Sequence, residues 1–480
     1  MTGFEYPYDE LDELWKTVLL HQFHDILPGS SIAWVHREAA ETYAEVERRL
    51  TPITAEAQRH LAGDGDRMIV FNAAPHPRAG VPGGGAAARP IIDGADVTVE
   101  TTDDGWTIHN GFVRVDVDAR GLVTSVVDLT SDRDAVPPGG AANLLQLHPD
   151  LPNRWDAWDV DAFYRNTVTD LVDVETIAVV ADGPDDAALR VERRFGDSTV
   201  VQHIGLTRGA RRVDIDTHVD WHETETLLKA AFDLDVRAEV SSAETQYGHV
   251  RRATHTNTSW EAAKFEICAH RFLHVAEPGW GAALVNDSTY GHDVTRSVRD
   301  DGGTTTTVRL SLLRAPRFPD PHTDQGEHRL RYALVVGADI TDAVREGYRI
   351  NLPERSVMGR REVAPVVAVD DDRIVIEAIK LADDRSGDLV VRLYESSGGR
   401  STGVLGVTVP IASATETDLL ERPLPDGVLS QDAKSTVCFS ALGFFVVESF
   451  EPSSRMRREP LGLNETVNSV TSSGTSKTYS

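Results

Sequence analysis

Hydrophobic positions follow a helical period only at the start of the chain. Leu11, Leu14, Trp15 and Val18 step by three or four, behind a candidate cap at Asp9 and an acidic first turn that includes Asp12. The pattern predicts a helix running to about Asp25. It stops at Ile26-Leu27-Pro28-Gly29, because Pro28 disfavours helix at Leu27 and Gly29 permits a sharp turn. Ser30 or Ser31 can cap a second helix, in which Ile32, Val35, Ala39, Tyr43, Val46 and Leu50 keep the period to a predicted end near Leu61. Two antiparallel helices make a poor core alone. They require a third helix or another domain.

After Ala62-Gly63-Asp64-Gly65-Asp66 the pattern changes to alternation. Val113, Val115 and Val117 alternate with Arg114, Asp116 and Asp118, and Arg120-Gly121 supplies a turn, which predicts a β-hairpin. Val213, Ile215, Val219 and Trp221 alternate in the same way with Asp214, Asp216 and Asp220. Residues 308–310, 374–377 and 389–394 are further strand candidates, the last more continuously apolar and so more buried. Gly83-Gly84-Gly85-Ala86-Ala87-Ala88 reads as a low-complexity loop. The expected fold is mainly β with an N-terminal helical pair: a helical segment 1–63, a large β-sandwich 64–345, a smaller β-sandwich 346–452 and a disordered tail 453–480.

Composition narrows the partners. In 480 residues, 48 Lys and Arg face 76 Asp and Glu, a net charge of −28. Such a surplus repels phosphate backbones and anionic bilayers, so neither nucleic acid nor membrane is expected as a partner. The two cysteines, Cys268 and Cys438, cannot frame a disulfide scaffold or a Cys-rich metal site. No basic-then-apolar leader and no long apolar span is visible, which leads to an expectation of a cytoplasmic protein.

The stretch richest in chemistry is His21-Gln22-Phe23-His24-Asp25-Ile26-Leu27-Pro28-Gly29-Ser30-Ser31. On a helix His21 and His24 would be neighbours, with Asp25 in the last turn. An imidazole can ligate zinc, and a carboxylate can orient it or grip sugar hydroxyls. The bland alternative is a set of partly buried polar groups bonded to backbone at a helix end. Trp155-Asp156-Ala157-Trp158-Asp159 combines flat apolar faces with carboxylates, a combination that suits either a sugar platform or core tryptophans beside solvated acids. Pro319-Asp320-Pro321-His322-Thr323-Asp324 is a polar loop behind a strand.

The His21–Ser31 string resembles the "QFHDILPGSSI" signature of bacterial glycoside hydrolase family 38 α-mannosidases. Further blocks resemble the family in the same order: Val70–Arg78, Asp150–Asp161, Gln246-Tyr247-Gly248 through Lys264-Phe265-Glu266, Asn286–Gly291 and Leu312–Pro316. The resemblance implies a three-helix bundle followed by β-sandwiches, the larger one galactose mutarotase-like, behind an N-terminal α/β domain. It implies retaining hydrolysis of terminal α-mannosyl linkages through a mannosyl-aspartate, with one Zn2+ that binds mannose hydroxyls. It maps one zinc ligand onto His24 and a substrate-holding carboxylate onto Asp25.

The family's other zinc ligands include a His and an Asp from an early His-x-Asp motif, and no such motif stands in the right order here. The nucleophile and the acid/base carboxylate, which a retaining glycosidase needs as a pair, are expected on a separate α/β catalytic domain. The resemblance thus assigns no catalytic residue within these residues and predicts weak or no activity for the chain alone. A truncated product, a misplaced start and one half of a split enzyme all accommodate this, and each predicts an exposed apolar face on the helical pair. The expected ligands are mannosides or mannose-containing oligosaccharides. The competing reading is a stand-alone, non-catalytic carbohydrate-binding or structural β-sandwich protein.

Overall fold

The computed structural model describes residues 4–88, 92, 94–425 and 443–449. The tail expected over 453–480 lies outside them. Helices α1 (Tyr8–Leu20) and α2 (Ala33–Ala62) pack antiparallel. Arg49 of α2 bonds Glu10 and Glu13 early in α1, at 2.8 and 3.0 Å, whereas the His21 ring beyond the end of α1 meets Tyr43 at 5.3 Å.

Helix α1 ends five residues before the expected Asp25. Here the His21, Gln22 and Phe23 amides donate to carbonyls three residues back, and the His21 imidazole bonds the Thr17 carbonyl at 2.8 Å. This tighter winding and the side-chain bond close the helix before Pro28 can act. His21 and His24 are therefore not neighbours on a helix edge. The expected serine caps are absent too: Ile32 occupies the N-cap of α2, and Asp9 lies inside the first turn of α1.

The helical pair buries little. Leu14, Ala39, Val46 and Ala62 are covered, but Trp15 is 64% exposed, Leu20 70% and Trp34 61%, and Leu19, Phe23, Leu27 and Ile32 are also open. The amphipathic period has made helices whose apolar stripe lacks a full partner.

Strand Arg67–Asn72 runs between Gly85–Ala88 and Arg355–Gly359. The glycine-alanine stretch expected as a loop thus ends in a strand. A Cβ on Gly85 would lie 2.7 Å from the Val363 carbonyl oxygen, so glycine lets the backbones meet while Ala86 packs with Ile69 and Ala62.

The large β region has a nine-stranded, a six-stranded and a five-stranded sheet around one core that includes Val115, Leu189, Ile204, Trp221, Phe232 and Leu310. Strand Arg212–Trp221 buries Val213, Ile215, Val219 and Trp221 on one face, as its alternation predicts, and sets its aspartates on the other, where Asp216 is open and Asp214 pairs with Arg212 at 2.8 Å. Helix Ile340–Asn351 starts in a capping box at Asp339 and covers the other face of the nine-stranded sheet through Val344 and Tyr348. Tyr348 also meets Tyr394 of the C-terminal β region, whose core includes Val367, Ile374, Val391 and Leu393.

One face of the six-stranded sheet carries a buried charge cluster. Lys229 and Asp293 have fully buried side chains, with Nζ 2.7 Å from Asp293 and 2.5 Å from Glu266. Arg309 and Arg165 also reach Asp293, at 2.9 and 3.3 Å, and the Tyr164 hydroxyl donates to Glu266. Burial would raise the Asp293 carboxyl, but the three cations hold it below its ordinary range. Burial pushes Glu266 up, Lys229 pulls against it, and Asp293 reinforces the rise.

Burial also drives His76 and His292 down to about 4, with Arg345 beside the first and Lys229 beside the second adding to it. Each has an unbonded Nε2 among the described residues. An unfolded histidine titrates near ~6.5. Below that value the unfolded chain takes up protons that the folded chain refuses. Stability from these groups is therefore full above ~6.5 and falls as pH drops toward about 4, by up to ~1.4 kcal/mol per unit and histidine. The melting temperature should be lower at pH 5 than at pH 7.5, with a smaller difference in H76Q/H292Q. An identical difference in that variant would refute the assignment.

Candidate functional site

The turn between the helices presents His24 and Asp25. Its backbone closes on itself: the Ile26 and Leu27 amides donate to the Phe23 carbonyl, Gly29 adopts φ +73°, and the Ser30 amide returns to the Asp25 carbonyl at 3.1 Å. Ser31 Oγ adds a 2.7 Å bond to that carbonyl. The serines that the sequence offers as helix caps hold this turn instead.

Asp25 is oriented from two sides. Its Oδ1 accepts from Ser30 Oγ and from Trp158 Nε1, each at 3.1 Å, and its Oδ2 lies 3.4 Å from His24 Nε2. A carboxylate offers about four acceptor positions. The two bonds at Oδ1 leave Oδ2 to face His24 or an incoming hydroxyl. The His24 side chain is 78% exposed, with its ring 4.2 Å from that of Phe23. His21 instead turns inward against Tyr43.

Two long-range loops complete the rim. Trp158 lies 6.4 Å from both Trp155 and Phe318, so the Trp155–Asp159 stretch does reach the His24 turn. Asp156 Oδ2 accepts the amides of Arg317 and Phe318 at 2.5 and 3.0 Å, stitching the 150–161 loop to the 314–325 loop. Arg314 clamps both: it grips Asp150 at 2.8 Å and donates to the carbonyls of Asp156 and Asp159 at 3.2 and 2.6 Å. Burial raises the Asp150 carboxyl while Arg314 pulls it down. From α2, His36 Nδ1 reaches the buried Asp320 at 3.1 Å and ties the helices to the same loop.

Sequence reading overlooked Arg314 and His36 as parts of this rim. Arg314 stands in a quoted block, but its partner Asp150 is 164 residues away. Nothing local in either segment reports the pairing.

His24 and Asp25 offer one imidazole and one adjacent carboxylate, whereas a catalytic zinc needs about three protein ligands. Among the described residues no group of three or more His, Cys, Asp or Glu converges. The described residues fit one edge of such a centre and do not form it alone.

The fold is a helical hairpin followed by large β-sheets, with His24, Asp25 and Trp158 on one open rim. The chain belongs to glycosyl hydrolases family 38. The family's C-terminal domain profile matches residues 108–322, the alpha mannosidase middle domain matches 1–61, and the family's C-terminal beta sandwich domain matches 373–442. Alpha-mannosidase 2C1 of Homo sapiens is 33% identical over 91% of this chain and 45% of that protein. Alpha-mannosidase of Saccharomyces cerevisiae is 28% identical over 87% of this chain and 41% of that protein. The chain thus spans less than half the length of these relatives. An alpha-mannosidase from Enterococcus faecalis V583 shares the fold with a TM-score of 0.70 at 14% identity, over 93% of this chain and 64% of that one. No helix among the described residues is long and apolar enough to cross a membrane.

Proposed function

We propose that these residues supply the His24–Asp25 edge of a zinc-dependent, retaining α-mannosidase centre, whose nucleophile and acid/base carboxylate come from an α/β domain. The observation that carries this reading is the pre-set Asp25 carboxylate. Ser30 and Trp158 fix its Oδ1, leaving Oδ2 beside an open imidazole on an exposed rim. The apolar stripe of the helical pair, from Trp15 through Leu27 to Trp34, supports a domain seated there. In this reading His24 Nε2 is one metal ligand, and Asp25 Oδ2 accepts a hydroxyl of the bound mannoside. Zinc, when bound, would hold sugar hydroxyls in place.

The test is reconstitution. Aryl α-mannoside cleavage should be weak or absent with this chain alone and should rise at least ~100-fold when a family α/β domain is supplied. H24A should remove that gain, and H21A should keep it. Reconstituted activity indifferent to H24A would overturn the proposal, as would vigorous cleavage by the chain alone. The stand-alone carbohydrate-binding reading predicts no gain on mixing.

A further inference from the structure

We propose a second carbohydrate site, for a neutral saccharide, in the cleft where the large β region, helix Ile340–Asn351 and the C-terminal β region meet. The cleft has a volume of about 540 Å³, within the usual range for small-ligand sites. It shares no lining residue with the rim around His24. The Gln246-Tyr247-Gly248 and Asn286–Gly291 segments, which the His24 centre leaves without a task, both contribute to its wall.

Its chemistry is that of a sugar site. Tyr247 and Tyr290 give it open aromatic faces, 40% and 52% exposed, beside the buried Tyr348. Flat rings suit the C–H faces of a pyranose, and hydroxyls near them suit its polar edge. The charges in and beside the cleft are matched except for one carboxylate. Arg271 stacks over Tyr348 at 3.7 Å and pairs with Glu244 at 2.7 Å, Asp287 pairs with Arg331 at 2.7 Å, and Glu377 accepts from the Tyr348 hydroxyl. Among the described residues Glu377 has a hydroxyl but no ion-pair partner, so the spare charge is negative and repels phosphates and free carboxylates. A polyol needs only the remaining donors and acceptors. Asn351 spends its amide protons on the Asn286 and Gly347 carbonyls, each at 2.9 Å, and so keeps its oxygen for a hydroxyl.

Tyr247 supplies an independent sign. It sits at φ +58° in the two-residue turn between Thr245 and Gly248, a left-handed position that glycine or asparagine fills without strain. Its ring meets Tyr394 edge-on at 5.8 Å and remains partly open to the cleft. A bulky side chain held in a strained backbone is the pattern expected when that side chain contacts a ligand.

Saturation-transfer NMR on the full chain, with methyl α-mannoside, α-1,2-mannobiose and maltose as probes, tests this. At least one probe should bind with Kd in the ~1–10 mM range. Y247G relieves the strain and should keep the parent's melting temperature, yet weaken binding at least ~10-fold. Y290A should weaken it similarly. Absence of binding by every probe at ~50 mM would overturn the proposal. So would binding that survives both tyrosine substitutions. A failed reconstitution of cleavage would leave this result standing, because the cleft is read without reference to His24.

Discussion

Asp293→Ala should be among the most damaging single substitutions in the large β region, lowering stability by ~3–5 kcal/mol. Asp293 is the anion shared by Lys229, Arg309 and Arg165, and its side chain is fully buried. Its removal leaves three cations facing Glu266 alone. Lys229→Met should cost less, because Arg165 and Arg309 then balance Asp293 and Glu266, and a buried apolar chain of similar length fills the space. Urea melts of the two variants test the order. A larger loss for Lys229→Met would mean that the lysine, not the aspartate, anchors the cluster. The cluster bears on the rim because Tyr164 and Arg165 belong to the segment Ala162–Asn166, just beyond the loop that carries Trp158.

The second large effect concerns Arg314. Arg314→Ala strands the buried Asp150 and frees the carbonyls of Asp156 and Asp159, so stability should fall by ~3–5 kcal/mol. Removing both partners leaves no uncompensated charge. Arg314→Met with Asp150→Leu should therefore recover much of the loss. Equal losses for the single and double variants would show that the carbonyl bonds, not the ion pair, carry the clamp.

Local patterns in the sequence reveal most of this architecture. The three-to-four spacing finds both helices, and alternation finds strand Arg212–Trp221. The end of α1 is missed because the His21 side chain and i→i+3 bonding act before Pro28. The glycine-alanine strand is missed because its small residues carry no alternation, although its partner strand Arg67–Asn72 lies close in sequence. A different limit governs the rim. His24, Asp25 and the Trp155–Asp159 stretch stand out locally, but that Trp158 meets Asp25 depends on two segments 133 residues apart. Resemblance to the family supplied the roles. Geometry supplied the orientation of Asp25 and the exposure of His24.

The most direct test of the central claim is the zinc content of this chain joined to a family α/β domain, measured after dialysis against a chelator. The account predicts that the joined protein retains zinc, that H24A weakens retention at least ~10-fold, and that H21A does not change it. Zinc held as firmly by H24A as by the parent would contradict the account.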